Sequence, residues 1–339
     1  MLRHFRSSLI FTIICLGLAW FVWGIQALFI TIMLAILEIS LSFDNAIINA
    51  KEIEKMDKKR KQRFLTWWMI IAVFGMRILF PVIIVSVIGH VSLRQALMIA
   101  LNDPAHYQAL ITASHIPLAW FGGTFLLMVF LAFFFDEAKE IHRIKVIEKQ
   151  LSRLGKLESI EIMVALILLL ITTKIPWFPM SEIPSFLTAG IAGLITYLIV
   201  SSLSKYLQEQ EKTTVKTGRL AWGFGTFMYL EILDASFSFD GVIGAFALTK
   251  NIIIIALGLG IGAMFVRSMT LMLVEKKTLS HYRYLEHGAF WAIGALALIM
   301  LLSTIYHIPE IITWLISWVL IAIAIWHSIH SHRSGKHTS

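Results

Sequence analysis

Long apolar runs separated by short polar segments make up most of the chain. Each run has roughly the 20 residues that an α-helix needs to cross the hydrocarbon core of a bilayer. The pattern therefore predicts an all-α polytopic membrane protein with about ten transmembrane helices. The first run resembles a signal peptide, but Trp20, Trp23 and Gln26 stand where small cleavage-site residues would be, so we expect it to be retained. The expected spans are 8–24, 27–50, 67–89, 116–135, 160–178, 184–203, 221–248, 252–274, 287–305 and 309–328.

The amino-acid composition agrees with a membrane protein. Of the 339 residues, 58% are hydrophobic and 15% charged, whereas soluble proteins have about 45–50% and 25%. This balance excludes a cytosolic enzyme and a disordered regulator, and the single cysteine, Cys15, excludes a disulfide scaffold. The sequence contains no P-loop, dinucleotide fingerprint or Gly-x-Ser-x-Gly elbow. We therefore expect no enzymatic activity and no tightly bound cofactor.

The net charge of +8 is better explained by membrane topology than by nucleic-acid binding. Nearly all of the 29 Lys and Arg residues lie in loops on one side of a ten-span arrangement, and the loops on the other side contain only Arg94, Lys174 and Lys250. Lys and Arg accumulate in cytoplasmic loops. The expected location is therefore the inner (cell) membrane, with both termini in the cytoplasm, the lipid bilayer as partner and no nucleic acid bound.

A motif with carboxylates at both ends occurs in the second and in the seventh expected span. Residues 38–44 (EISLSFD) match residues 234–240 (DASFSFD), and the next span carries Arg77 or Arg267. Because the copies are five spans apart, an odd number, they are expected to run in opposite directions. We predict a 5+5 inverted repeat, a type that recurs in secondary transporters with midplane binding sites. The repeats are expected at 1–178 and 184–328, followed by a cytoplasmic His-containing tail at 329–339.

Five acidic residues fall inside these two spans, where each charge costs at least about 2.5–3.5 kcal/mol. Two arginines cannot neutralise five acids, which favours bound cations or protons. Glu38, Asn45 and Asn49 form one polar stripe of a helix, and the Ser-Phe-Asp segments are expected to loosen their helices and free backbone carbonyls. The predicted metal ligands are Glu38, Asp44, Asn45, Asp234 and Asp240, supported by Ser40, Ser42, Glu231, Ser236 and Ser238, with Arg77 and Arg267 as counter-charges or gates.

All of these ligands are oxygen donors, which suit Mn²⁺, Ca²⁺ or Mg²⁺ better than zinc or copper. The sequence thus predicts a transporter of a divalent cation, with Mn²⁺ or Ca²⁺ as substrate. Coupling to protons stays open, because emptied carboxylates can take up protons. Two alternatives also stay open. The arginines can pair permanently with the acids and only pin the helices, or the protein can be a membrane scaffold or metal-handling partner that binds other proteins through the loop 51–66. Binding to a second copy of the chain is not excluded by the sequence.

The motif from Glu38 to Ala46, its second copy ending at Asp240 and the arginine after each copy resemble the TerC (tellurium-resistance C) family of integral membrane proteins, nearest to its uncharacterised relatives. The resemblance covers roughly residues 27–305. It implies handling of metal ions, notably export of manganese or calcium, linked to protons in some members. The chain departs from the pattern at Gly241, where the first copy has Asn45, so an amide ligand is expected to be missing from the second half.

Overall fold

A computed structural model describes residues 2–54, 79–88, 90–113, 115–136, 159–214, 224–276, 284–302 and 310–334, with a few isolated positions between them. This part of the chain is all-helical and contains no strand. The α-helices are α1 Leu2–Leu41, α2 Phe43–Glu54, α3 Phe80–Ile88, α4 Leu93–Asn102, α5 Pro104–Ala113, α6 His115–Phe134, α7 Ile160–Thr172, α8 Ile183–Thr214, α9 Phe224–Leu248, α10 Ile252–Glu275, α11 Leu285–Leu301 and α12 Glu310–Ser334, and a 3₁₀ turn, Met180–Glu182, precedes α8.

Four helices of the described residues are long and apolar enough to cross a bilayer. They are His4–Leu41, His115–Phe134, Met180–Tyr206 and Ile252–Glu275. Three further helices are also apolar but shorter, at Ile160–Thr172, Leu285–Leu301 and Leu315–His330. The prediction of an all-helical, multi-pass membrane protein is confirmed. The count of ten spans stays a prediction, and much of the expected span 67–89 lies outside the described residues.

The chain folds into two compact units, and each is built from two separate segments. The first contains Met1–His115 and Tyr206–Lys276, and the second contains Ile116–Lys205 and Lys277–Ser339. Segments from both halves of the sequence therefore meet within each unit. The boundaries of the two expected repeats are not tested by this division, and the repeats stay a prediction.

Helix α1 reverses direction at Gly24, so that it forms two arms. Gly24 has φ 82° and ψ −171°, a region of backbone conformation that is essentially restricted to glycine. The first arm runs antiparallel to α10. His4 Nδ1 pairs with Glu275 Oε2 (3.5 Å) at the end of α10, and the later residue Ser8 contacts the earlier residue Ser268 (Oγ to Oγ, 2.6 Å). The reversal falls at the boundary between the first two expected spans.

The second arm of α1 and helix α2 run parallel to α10. Leu34 packs against Gly258, where an added methyl group would lie 2.5 Å from Leu34 Cβ. Farther on, the hydroxyl of Thr270 lies 3.5 Å from the carbonyl oxygen of Ala46. From the first contact to the second, both chain segments advance by the same number of residues, although a turn at Ser42 separates α1 from α2. The absence of a side chain at a glycine lets helices approach closely in this way.

Short helices cover the end of α9 in the first unit. Helix α4 begins with a capping box, in which the side chains of Ser92 and Gln95 each bind the other's backbone. In α5, Gln108 Nε2 donates a hydrogen bond to the carbonyl oxygen of Phe246 (3.1 Å), and the Tyr107 ring packs on the Phe246 ring. This polar segment between two apolar helices thus consists of two short helices.

The second unit is held together by aromatic and glycine contacts. Phe133 of α6 stacks on Phe290 of α11 with ring centroids 3.7 Å apart. A side chain at Gly193 of α8 would overlap the carbonyl oxygen of Phe121 in α6, so these two helices are in backbone contact. Helix α12 continues to Ser334, and the first part of the expected tail 329–339 is therefore helical.

Candidate functional site

The carboxyl group of Glu38 lies in a pocket between glycines. Glu38 is on the last turn of α1 and is 1% exposed. Ser42 Oγ donates a hydrogen bond to Glu38 Oε1 (2.9 Å), one helical turn along the chain. Any side chain at Gly262 of α10 would overlap Cβ and Cγ of Glu38, and a methyl group at Gly241 of α9 would lie 3.3 Å from Glu38 Oε2. The two glycines thus provide the space that this acid occupies.

Asn45 and Asp234 form a second polar contact, between α2 and α9. Asn45, on the first turns of α2, is fully buried, and Asp234 of α9 is 2% exposed. Asn45 Nδ2 donates a hydrogen bond to Asp234 Oδ1. An ionised carboxylate can only accept hydrogen bonds, so this contact orients the Asn45 amide with its oxygen, Oδ1, turned away from Asp234.

The two contacts are reciprocal, and we call them together the carboxylate crossing. Glu38 meets Gly241, which lies seven residues after Asp234, and Asp234 meets Asn45, which lies seven residues after Glu38. Because the order of contacts is opposite on the two helices, the two copies of the motif cross antiparallel. In each copy the leading acid contacts the position that lies seven residues after the other copy's leading acid, as across a two-fold axis.

The helix carrying the first copy is interrupted, whereas the helix carrying the second is continuous. A turn at Ser42 separates α1 from α2. Asp44, 2% exposed, follows this turn, and its Oδ1 accepts the backbone N–H of Asn45 (2.9 Å). The turn falls where loosening was expected, but the carbonyl oxygens of Glu38 and Ser42 still accept the backbone N–H groups of Ser42 (3.0 Å) and Ala46 (3.1 Å) and are not freed. In the second copy α9 runs from Phe224 to Leu248 without a break.

A group outside the predicted ligand set is also buried near the crossing. Asn49 is fully buried one turn beyond Asn45 on α2. Neither Oδ1 nor Nδ2 of Asn49, nor Oδ1 of Asn45, has a hydrogen-bond partner among the described residues. The polar stripe predicted from the sequence contains Asn49, but the predicted ligand set does not.

The remaining predicted site residues are only partly accounted for. Glu231 is 4% exposed and precedes Asp234 by about one turn on α9. Ser40 and Arg267 are half-buried, on α1 and α10. Three predicted side chains on α9, and Arg77, lie outside the part of the structure that is described: Ser236, Ser238, Asp240 and Arg77.

The donor set at the crossing consists of carboxylate, carboxamide and hydroxyl oxygens. Such atoms suit hard cations. Among the described residues, no group of three or more His, Cys, Asp or Glu side chains is placed to hold a metal together. The described acids therefore do not form a complete carboxylate cage.

The apolar helices and the buried polar crossing define a multi-pass helical membrane protein. A family model described as "Protein of unknown function (DUF475)" matches residues 43–335, and the chain belongs to this family. Asp44, Asn45 and Asp234 lie within the matched residues, and Glu38 lies just before them. Comparison with curated proteins and with solved structures finds no match.

The resemblance to the TerC family is wrong, because the family model that matches the chain is that of DUF475. The resemblance depended on one short motif and its second copy. Most of the other positions of these helices are Leu, Ile, Phe and Ala, which any apolar helix can share. A few polar residues at fixed spacing therefore did not identify the family, and what the TerC family implies no longer applies to this chain.

Proposed function

We propose that the protein is a secondary transporter of an oxygen-liganded divalent cation, Mn²⁺ or Ca²⁺. The observation that carries this proposal is the reciprocal contact of Glu38 with Gly241 and of Asn45 with Asp234. It brings two acids and an amide into one buried region formed by both copies of the motif. A cation compensates the cost of keeping carboxylates away from water.

The antiparallel crossing supports an inverted repeat. In transporters with such repeats, the binding site lies near the bilayer midplane at the interface of the repeats, often beside an interrupted helix. Here the interruption at Ser42 adjoins Glu38 and Asp44. We accordingly propose ten transmembrane helices in a 5+5 inverted repeat, with both termini in the cytoplasm and the inner membrane as location. Uptake of protons by the emptied carboxylates would couple transport to the proton gradient.

Cation uptake into proteoliposomes tests the proposal. The full chain is reconstituted, and uptake of Mn²⁺ and of Ca²⁺ is followed with an entrapped fluorescent indicator. Glu38→Gln and Asp234→Asn keep the volume of each side chain and remove its charge. We expect uptake to fall by about tenfold or more, since even indirect partners of a bound metal are worth about 10–100-fold in affinity or activity.

Asp103→Asn is the matched control. Asp103 is an exposed acid between α4 and α5, far along the chain from the crossing, so its loss should leave uptake unchanged. Uptake of neither ion by the wild-type protein, or equal uptake by wild type and both crossing variants, would refute the proposal. A scaffold without transport activity predicts the first of these results, no uptake of either ion by the wild-type protein.

A further inference from the structure

The side chain of Asn49 is a buried polar group that the carboxylate crossing does not use. It is fully buried on α2, and both of its amide atoms are without a hydrogen-bond partner among the described residues. Buried side-chain polar atoms nearly always have a partner, and a bound ion or water is one of the explanations of an exception. The Asn49 amide therefore points to something bound beside α2.

Asn45 supplies a second free atom on the same face of α2. Its Nδ2 is engaged by Asp234, which leaves Oδ1 as an acceptor without a partner in the described part of the chain. Residues four apart on a helix have Cβ atoms about 5–6 Å apart. Two oxygens that share one Ca²⁺ at bonds of about 2.3–2.6 Å lie within about 5 Å of each other. The oxygens of Asn45 and Asn49 can therefore reach the same ion.

We propose that the carboxamide oxygens of Asn45 and Asn49 form a second, neutral binding station for the transported divalent cation. This inference rests on the proposed function. The second station lies one helical turn from the crossing, towards Glu54 at the end of α2. Asn45 belongs to both positions, since its Nδ2 binds Asp234 and its Oδ1 has no partner among the described residues.

A neutral station has a definite use in transport. Affinity for Ca²⁺ in proteins depends on the number of charged ligands, so two carboxamides bind a dication more weakly than the acids of the crossing do. Conduction through a series of sites requires binding that is weak enough for the ion to leave. Carboxamides also do not titrate, so the second station holds the cation whatever the protonation state of Glu38 and Asp234.

Binding of Mn²⁺ to the full chain in detergent micelles tests the second station. Electron paramagnetic resonance of free Mn²⁺ counts the bound ions. We expect a tighter and a weaker class of site in the wild type. Asn49→Leu should abolish the weaker class, retain the tighter one and slow uptake into proteoliposomes. Asn49→Asp adds a charge and should tighten the weaker class by about tenfold or more, again with slower uptake.

Asn102→Leu is the control, because Asn102 is an exposed amide at the end of α4. It should leave both classes of site unchanged. Thermal unfolding shows that each variant is folded, and Asn49→Ala replaces Asn49→Leu if the larger side chain prevents folding. Wild-type binding and uptake in the Asn49 variants would overturn the second station while the proposed function stands. No Mn²⁺ binding by the wild type, together with no uptake of Ca²⁺ into proteoliposomes, would refute both.

Discussion

The Glu38 carboxyl group occupies the space that Gly241 leaves by having no side chain. A methyl group at Gly241 would already lie 3.3 Å from Glu38 Oε2. The first copy of the motif has Asn45 at the equivalent position, and there the asparagine meets Asp234. The longer acid thus faces the glycine and the shorter acid faces the amide. The second copy has Gly241 where the first has Asn45, and this difference leaves room for the Glu38 carboxyl group on one side of the crossing and places an amide against Asp234 on the other.

Gly241→Asn should disrupt the crossing although it makes the two copies of the motif more alike. The added amide has to displace the Glu38 carboxyl group, and Cβ and Cγ of the same side chain are packed tightly against Gly262. Insertion of atoms into a packed site typically costs about 1–3 kcal/mol. We expect a lower unfolding temperature and slower cation uptake than in the wild type. Gly241→Ala, with fewer added atoms, should fall between them. A fully active, stable Gly241→Asn protein would show that Glu38 does not need this space.

The hydrogen bond between Asn45 and Asp234 should appear as a coupling energy. In a double-mutant cycle of Asn45→Ala and Asp234→Ala, we expect a coupling of about 1.5–3 kcal/mol, as for hydrogen bonds to charged groups. The free energy of unfolding is measured in mixed micelles. As a control, Asn45→Ala combined with Gln108→Ala should be additive within about 0.5 kcal/mol, because Gln108 binds Phe246 instead. Additivity in the first cycle would contradict the contact.

Two glycines of α1 should respond to alanine in opposite directions. Gly24 has a backbone conformation that costs other residues about 1–3 kcal/mol, so Gly24→Ala should lower the unfolding temperature. Gly17 is helical, and nothing lies within 4 Å of an added methyl group there. Gly17→Ala should therefore raise stability by about 0.5–1 kcal/mol through helix propensity. Equal effects of the two substitutions would argue against a reversal at Gly24.

The proposed orientation can be tested at the two ends of α10. Its 24 residues span about 36 Å at 1.5 Å per residue, enough to cross a bilayer. Lys250 and Lys276 are exposed just before and after it. In a Cys15→Ala background, a membrane-impermeant maleimide should label Lys250→Cys in intact cells. It should label Lys276→Cys only after permeabilisation. The reverse pattern would invert the topology.

Features that depend on a single helix could be predicted from the sequence. The apolar runs predicted a helical membrane protein. The expected boundary between the spans 8–24 and 27–50 coincides with the reversal at Gly24. The serines and acids of the first motif marked the interruption at Ser42. The acids of the two motifs were expected to share a cavity, which stays a prediction, and Glu38 and Asp234 each contact the other copy of the motif.

Features that depend on packing between distant segments could not be predicted. Gly262 has no neighbour in sequence that signals its contact with Glu38, and Gly241 looked like a missing ligand. Helical periodicity shows which residues share a face but not which helix covers that face. The free amide of Asn49 became visible only when its surroundings were known. The family assignment failed for a related reason, because a short motif says little about the rest of the chain.

The assembly of the first unit from two distant segments has a consequence for biosynthesis. Asn45 and Asp234 are 189 residues apart, which a ribosome takes about 10–40 s to translate at 5–20 residues per second. During that interval Glu38 and Asp44 have entered the membrane, but neither α9 nor α10 exists to enclose them. The nascent chain must therefore hold its first acids in the translocon, in their protonated form or at the lipid surface until the second motif arrives.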